Sequence, residues 1–463
     1  MNLRLLMLPA IFLFAAGVNG QTDSVYTFSL KEAQEFALSN NRNVKSSQID
    51  LQIAKKQIWE TTAIGLPQFS VTGNYQHIFK VPEFSIPLTG LTQNPLVLND
   101  VVQGFEQFES IGGLNQYYYE GPKIPLGAKD NTTFDFTLSQ LIFSGEYIVG
   151  LQASRVYREF SEQQLKKTEK DIEESVAGSY YSVLILSRNI DILDESLEVL
   201  TKTHNEMNEM FRQGFVQETD ADQIAIIHSQ LENTIFTLKG QLDVSKKLFM
   251  MQLGLTFDNQ LELTDSIEGL LLNTNLNLLD TASFDVNSNI NYQLASTSTD
   301  LSKLSLRREK SKFLPSFAAF YQHEEQTNPA AFNFMPPDIV GLRMNFTIFS
   351  SGQRLSTVSQ SQLAYDKAQL TQKNAEQGLI MQFETAKNNY ITAMKTYETN
   401  LENFKLAKKI FDHSVISFKE GMATSLELTQ NQRQYLMTES DYLNGIVKLL
   451  NAKAQLDNLL NWN

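Results

Sequence analysis

The sequence contains no cysteine among its 463 residues, and it has few prolines and glycines. The missing cysteines exclude a disulfide scaffold, a thiolate metal site, a cysteine nucleophile and a lipidated cysteine anchor. The 11 prolines and 22 glycines are too few chain breaks for three ordinary compact domains. Basic residues are also scarce: 38 Lys and Arg stand against 52 Asp and Glu, and the net charge of −14 argues against nucleic-acid binding.

Catalytic motifs are missing as well. The sequence has no GxxxxGK phosphate loop, no HExxH pair and no GxSxG elbow. Its five histidines are far apart in the chain, so we expect surface or lumen residues rather than metal ligands. These histidines are His77, His204, His228, His323 and His413. The sequence therefore predicts neither an enzyme nor a bound cofactor or metal.

The N-terminus has the residue order of a secretory signal peptide. Arg4 precedes a mostly apolar run over 5–17, and Val18, Asn19 and Gly20 follow that run. We therefore predict a signal peptide over residues 1–20. No later segment has the roughly 18 uninterrupted apolar residues that a transmembrane helix needs, so a membrane-inserted form would have to be a β-barrel.

One sequence pattern occurs twice along the chain. The segment 211–214 (FRQG) matches 418–421 (FKEG) at an offset of 207 residues, and 142–145 (IFSG) matches 348–352 (IFSSG) at nearly the same offset. A third match, between the segments that begin at Leu66 and Leu314, has an offset of 248, so the first copy holds 41 more residues. We place these extra residues in a loop over 80–130. The fold is therefore predicted to be an internal duplication.

Both copies carry a heptad seam. Spacings of four and three alternate without a slip, which predicts long helices in a left-handed coiled coil. Asn400 is the one plainly polar departure in the second copy. The two seams are Ile172, Val176, Ser179, Val183, Leu186, Ile190, Leu193, Leu197, Leu200 and Leu379, Phe383, Ala386, Tyr390, Ala393, Tyr397, Asn400, Phe404, Ala407.

Two short regions are typical of β-hairpins. After the predicted signal, prolines fall only within 67–125 and 315–337, and apolar residues alternate with polar ones over 133–139 and 340–348. Transmembrane strands have this pattern with one apolar face. A soluble hairpin packed on helices would have it too, so the strands alone leave both interpretations open.

Segment lengths give the same order of elements in each copy. The first copy (21–253) is a helix, a hairpin over 67–143, a long helix over 147–211, a tip turn over 212–218 and a helix. A connecting segment covers 254–286. The second copy (287–463) is a helix, a hairpin over 315–349, a long helix over 354–418, a tip turn over 419–423 and a helix. Each long helix would measure about 97 Å. Four strands are too few to close a barrel, so several subunits must share one.

On the two-copy order and the paired Phe-x-x-Gly turns, the mature chain resembles the TolC-like outer-membrane efflux protein family over essentially its whole length. The resemblance implies a mainly α-helical homotrimer with transmembrane β-strands. Long antiparallel coiled-coil helices would form a periplasmic α-barrel, and four strands per chain would form a shared twelve-stranded β-barrel in the outer membrane. It also implies a passive conduit for small molecules or drugs, docked to a periplasmic adaptor (membrane fusion) protein and an inner-membrane pump.

The resemblance places both Phe-x-x-Gly turns at the periplasmic tip. A glycine there can adopt the left-handed conformation that ends a helix, and Thr219 and Thr424 can cap the helices that follow. Helix caps alone would also explain the local sequence. The residues that the resemblance presents to the adaptor are Gln213, Gly214, Phe215, Glu420, Gly421 and Met422.

The resemblance also implies a gate of polar links near the tip. Asp220 matches one partner of such a link, but Phe418 and Ala423 stand where a tyrosine and an arginine are expected. That pair cannot form, so we expect Asp220 to hold little of the closed state. Glu427 matches an acidic ring that lines the pore, Gln430 replaces a second acid, and Glu427 could equally be a solvated helix residue. The gate and pore-lining candidates are Thr219, Asp220, Phe418, Ala423, Glu427 and Gln430.

Two alternatives to drug efflux stay open at this point. A type I protein secretion system uses the same kind of conduit. A secreted coiled-coil scaffold or adhesin would also carry heptads, and membrane fractionation would distinguish it from a channel.

Overall fold

A computed structural model describes residues 25–85, 123–125, 127–272, 284–328 and 336–460. The predicted signal peptide and most of the predicted 80–130 loop lie outside these residues. The helices are α1 Leu30–Asn40, α2 Arg42–Ile64, α3 Gly145–Arg212, α4 Glu218–Leu253, α5 Ile267–Leu272, α6 Ile290–Ser311, α7 Gln353–Lys419 and α8 Ser425–Leu460. The strands are β1 Val25–Phe28, β2 Gln68–His77, β3 Glu83–Ser85, β4 Lys123–Pro125, β5 Asp130–Phe143, β6 Gln260–Leu263, β7 Ser316–Gln326 and β8 Asp338–Asn345.

The described chain is mainly helical, and it forms two compact units. The described residues of the helical unit are 25–53, 159–272, 284–299 and 367–460, and those of the sheet unit are 54–85, 123–125, 127–158, 300–328 and 336–366. Each unit therefore takes residues from both sequence copies. Among the helices of the described ranges, none combines the length and the apolar character that crossing a membrane requires.

The core of the helical unit follows the heptad seams. Every residue of both predicted seams is buried or half-buried, and Val176 and Ala386 are fully enclosed. The polar departure at Asn400 is satisfied locally, because its side-chain amide donates a hydrogen bond of 2.7 Å to the carbonyl of Asp441. Its neighbour across the helix pair is Gly445, where a β-carbon would lie 3.3 Å from that same amide nitrogen.

The first described strand is tied to the middle of the chain. Strand β1 pairs in parallel with β6, which places Phe28 opposite Leu263. The carboxylate of Asp265 accepts hydrogen bonds from the Leu30 amide at 2.7 Å and from the Tyr180 hydroxyl at 2.9 Å. Burial raises the pKa of Tyr180, so its hydroxyl stays protonated and remains a donor.

The sheet unit is built on four antiparallel strands in the order β2-β5-β7-β8. The central β5–β7 pair joins the two sequence copies. Paired residues of an antiparallel sheet share a face, and the register collects apolar side chains on one face. Those that are more than two-fifths exposed are Phe69, Val71, Tyr75, Phe134, Leu138, Tyr321, Val340, Leu342 and Met344. The opposite face is polar, with Asp135 accepting a hydrogen bond from Gln322 at 3.0 Å.

Candidate functional site

The turn between α3 and α4 ends the first long helix through backbone hydrogen bonds. Gly214 has a φ of 79°, the left-handed conformation that the glycine pattern predicts. Its N–H donates to the carbonyl of Phe211 at 2.9 Å, and the N–H of Phe215 donates to the carbonyl of Met210 at 2.9 Å. These two bonds form a Schellman motif, which satisfies the carbonyls at the end of the helix.

The turn between α7 and α8 repeats this backbone geometry. Gly421 has a φ of 73°, its N–H donates to Phe418 at 3.0 Å, and the N–H of Met422 donates to Ser417 at 2.8 Å. A β-carbon at Gly214 or Gly421 would meet nothing within 4 Å. The backbone conformation rather than lack of space therefore requires glycine in both turns.

The helices that follow the two turns begin differently. The Thr424 hydroxyl accepts a hydrogen bond from the Glu427 amide at 3.2 Å, and the Glu427 carboxylate accepts one from the Thr424 amide at 3.0 Å. This reciprocal pair is a capping box, so the predicted Thr424 cap is confirmed and Glu427 helps to start α8. At α4 the cap position is Gln217, which makes no side-chain capping bond.

The predicted cap at Thr219 is wrong. Because α4 begins at Glu218, Thr219 already lies inside the first helical turn, where its hydroxyl is 3.5 Å from the Gln217 side-chain oxygen. Asp220 has a partner that the sequence did not identify. The Ser425 hydroxyl donates to the Asp220 carboxylate at 2.6 Å and lies 3.0 Å from the Gln223 side chain. This contact joins the start of α4 to the start of α8.

Ser425 was not a candidate from the sequence. It is only 5% exposed, and its hydroxyl bridges helices whose first residues are about 200 positions apart in the chain. A serine at the first position of a helix is common enough to carry no signal by itself. The two expected partners make no such link: Phe418 is half-buried against an apolar cluster that contains Leu428, and Ala423 contributes only its backbone.

The six predicted docking residues are all exposed. Phe215 is 73% exposed and Met422 is 71% exposed, which is unusual for large apolar side chains. Glu427 and Gln430 are exposed on α8. Beside the second turn lies an open groove of about 720 Å³, lined by Leu406, Ile410, Ser414, Met422, Glu427 and Asn431 among others.

Four of the five histidines contact another side chain that the sequence did not identify. His204 on α3 stacks on His228 on α4, with ring centroids 5.4 Å apart. His77 and His323 each contact an aspartate on the neighbouring strand, Asp130 and Asp338, at 2.6 Å and 2.9 Å. Within the described ranges, no three or more His, Asp or Glu side chains are arranged to hold a metal ion.

The contacts of His77 and His323 belong to a duplicated motif that the sequence analysis missed. The tripeptide Tyr-Gln-His occurs at 75–77 and again at 321–323. The Tyr75 hydroxyl donates to Asp130 at 2.9 Å and the Tyr321 hydroxyl donates to Asp338 at 2.6 Å. The repeated tripeptide was a visible signal for these two cross-strand ties.

A buried acid on α8 was also missed. Glu439 is 1% exposed, and neither of its carboxylate oxygens has a hydrogen-bond partner in the described structure. Gln432, two turns earlier, is equally buried and equally unpartnered. Burial raises the pKa of Glu439 to about 8, because Lys408 and Arg188 offset only part of the desolvation. Residue type gives no sign of this, since most glutamates are exposed.

Comparison with known proteins is consistent with this architecture. Residues 295–461 match the family model of outer membrane efflux proteins. No curated protein matches the sequence.

Solved structures match almost the whole chain. CusC is 13% identical, with 93% of this chain and 92% of that chain covered and a TM-score of 0.71. The outer membrane protein VceC from Vibrio cholerae is 13% identical, with 93% and 95% covered and a TM-score of 0.68. The outer membrane channel CmeC from Campylobacter jejuni is 15% identical, with 93% and 85% covered and a TM-score of 0.69. The chain thus has the fold of these proteins over almost its full length and an outer membrane efflux protein domain over residues 295–461, which confirms the resemblance to the TolC-like outer-membrane efflux family.

Proposed function

We propose that the protein is the outer-membrane channel of a tripartite efflux system. It is a passive homotrimeric conduit that carries small molecules or drugs from a periplasmic adaptor and an inner-membrane pump to the outside. The helical unit lies in the periplasm and the sheet unit in the outer membrane.

The observation that carries this proposal is the four-stranded sheet. Its outer strands β2 and β8 each have one edge without a strand partner in the described structure, and one of its faces is apolar and exposed. Lipid supplies no hydrogen bonds to an open edge, so such a sheet needs other chains to close it. Three chains would provide twelve strands, enough for a closed barrel. A secreted scaffold would have no use for this apolar face.

The two turns then form the periplasmic tip. Gln213, Gly214 and Phe215 of one turn and Glu420, Gly421 and Met422 of the other meet the adaptor. Exposed Phe215 and Met422 support this role, because large apolar side chains on a free surface mark contact sites.

The closed state rests on the contact between Asp220 and Ser425. This hydrogen bond stands where the expected link through Phe418 and Ala423 is missing, and it occurs three times in a trimer. Glu427 keeps an exposed carboxylate while it caps α8, so a ring of three Glu427 residues still favours cations in the pore. Thr219 and Gln430 are exposed neighbours of this ring and carry no charge.

The test measures assembly and docking on the same samples. The membrane-extracted protein in detergent is expected to have three times the mass of one mature chain, and a stable membrane-inserted monomer would overturn the proposal. Phe215→Asp with Met422→Asp is expected to abolish adaptor capture and drug export while trimer yield stays unchanged, because both side chains point into solvent. If export persists with both charges in place, the turns are not the docking tip.

A further inference from the structure

Two imidazole rings are stacked between α3 and α4, close to the first turn. The ring planes of His204 and His228 are inclined by 24°, and their centroids are 5.4 Å apart. His228 contacts the Thr201 hydroxyl at 3.0 Å and the Glu232 carboxylate at 3.4 Å. His204 contacts the Asn208 side chain at 3.1 Å. Both rings are only partly exposed.

The helical hairpin formed by α7 and α8 has a stacked pair at the equivalent positions. Adding the repeat offset of 207 to His204 and His228 gives Phe411 and Tyr435. These two rings are 5.3 Å apart and inclined by 4°. The same place in the fold therefore holds two histidines in the α3–α4 hairpin and two aromatic rings in the α7–α8 hairpin. Only the histidines can change charge between about pH 5 and pH 8.

One carboxylate contacts the histidine pair, and a nearby acid on α3 is engaged with another helix. Glu232 is on α4, and Glu206 on α3 is paired with Lys419 of α7 at 2.9 Å. The α7 and α8 side chains in the adjoining cluster are apolar or aromatic, including Leu428. His413 of α7 lines the groove beside the second turn.

The second pair stays neutral through the same range. Burial raises the pKa of Tyr435 to about 12, with Glu439, Asp412 and Glu195 adding to this increase. Burial raises the pKa of Glu439 to about 8, so lowering the pH neutralises this carboxyl. Acid therefore places no positive charge on the second pair.

We propose that the His204–His228 stack is a pH-sensitive contact that loosens the α3–α4 hairpin in acid, while the Phe411–Tyr435 stack holds the α7–α8 hairpin closed. The Glu232 carboxylate, 3.4 Å from His228, can balance one positive charge on the pair. A second proton places two positive charges about 5 Å apart in a site that water only partly screens. The stack then separates. This inference concerns the hairpin itself and does not depend on the export role.

The test is hydrogen–deuterium exchange on the full-length purified protein at about pH 7.5 and about pH 5.5, either side of the ordinary histidine range. Exchange times are scaled for the intrinsic pH dependence of the chemistry. In acid, exchange over 196–235 is expected to rise roughly fivefold or more, while exchange over 403–442 does not rise, because acid only neutralises the buried Glu439 carboxyl there. Equal behaviour of the two segments in the wild-type protein would overturn the proposal.

Two variants sharpen the result. The double substitution His204→Phe with His228→Tyr installs the pair of the second hairpin, and the acid response over 196–235 should disappear. Glu232→Gln removes the carboxylate beside His228, so the response should move to lower pH. Glu209→Gln, which changes the same charge at an exposed site paired with Arg212, should leave it unmoved. An acid response that survives both histidine substitutions, or that ignores Glu232→Gln, contradicts the proposal.

Discussion

The two turns at the ends of the long helices share a backbone but not a side-chain chemistry. Both end a helix with a left-handed glycine and a Schellman motif. The second turn supplies its own helix cap through Thr424 and Glu427. The first turn has no side-chain cap, and its acid at the equivalent position, Asp220, bonds instead to Ser425 beside the second turn. The first turn therefore depends on the second, whereas the second is complete by itself.

The largest expected effect comes from a pair of equivalent acids above these turns. Glu232 is exposed and Glu439, 207 residues later, is buried. Since the folded-state pKa of Glu439 is raised to about 8, the folded protein binds a proton that the unfolded chain releases near pH 4.5, and stability falls as pH rises between these values. Glu439→Gln should therefore stabilise the protein by roughly 2–4 kcal/mol above pH 8 and change little near pH 5.

Thermal unfolding followed by circular dichroism at both pH values checks this effect. Glu232→Gln is the matched control above pH 8 and should leave the unfolding temperature unchanged there, because its side chain is exposed. If the two variants behave alike, burial of Glu439 does not set the pH dependence.

A smaller effect is expected from the hydrogen bond between Ser425 and Asp220, which joins the starts of α8 and α4. Ser425→Ala removes the donor to Asp220 and should cost about 1–2 kcal/mol of local stability. Asp220→Ala should cost about the same, and the double variant no more than either, because one hydrogen bond is lost in all three. Amide exchange at the starts of α4 and α8, together with resting conductance in planar bilayers, gives the readout. Exposed Ser229→Ala serves as the control, and additive losses at Asp220 and Ser425 would show that they do not act as a pair.

The smallest effect concerns the caps. Thr424→Ala should destabilise the start of α8 by about 1 kcal/mol, since it removes one side of the capping box. Gln217→Ala should change the start of α4 by almost nothing, because Gln217 makes no capping bond. Exchange rates of the first-turn amides measure both. An equal change in the two helices would show that the capping box does not make the start of α8 different from the start of α4.

Periodic features were predictable from the sequence, and individual side-chain contacts were not. The heptad spacing identified residues such as Val176 and Ala386 that are enclosed in the structure, because helix periodicity alone decides which face is buried. The glycine in each turn was also predictable, because the left-handed conformation that ends a helix favours glycine. The start of α4 was placed too late at Thr219, since helix boundaries depend on one or two residues.

The Asp220–Ser425 bond and the burial of Glu439 were beyond the sequence. Both depend on how α4 and α8 are rotated against their neighbours, and the repeat itself misleads here. Glu232 and Glu439 are the same residue at the same place in the two copies, yet only one is exposed. The Tyr-Gln-His repeat and the His204–His228 pair left clearer traces, in an identical tripeptide and in two ring positions that match across the duplication.

The interleaving of the two copies sets the order in which the chain can fold. Strand β1 needs β6, which lies more than 230 residues later, and β5 finds its second neighbour only in β7 of the other copy. Neither compact unit can be completed from the first 253 residues alone. The first β-hairpin therefore keeps an unpaired edge on β5 until β7 of the second copy is available. Such long-range pairing makes folding slow and exposes the incomplete chain to aggregation. A truncated product would accordingly be a substrate for proteases and chaperones rather than a stable half-molecule.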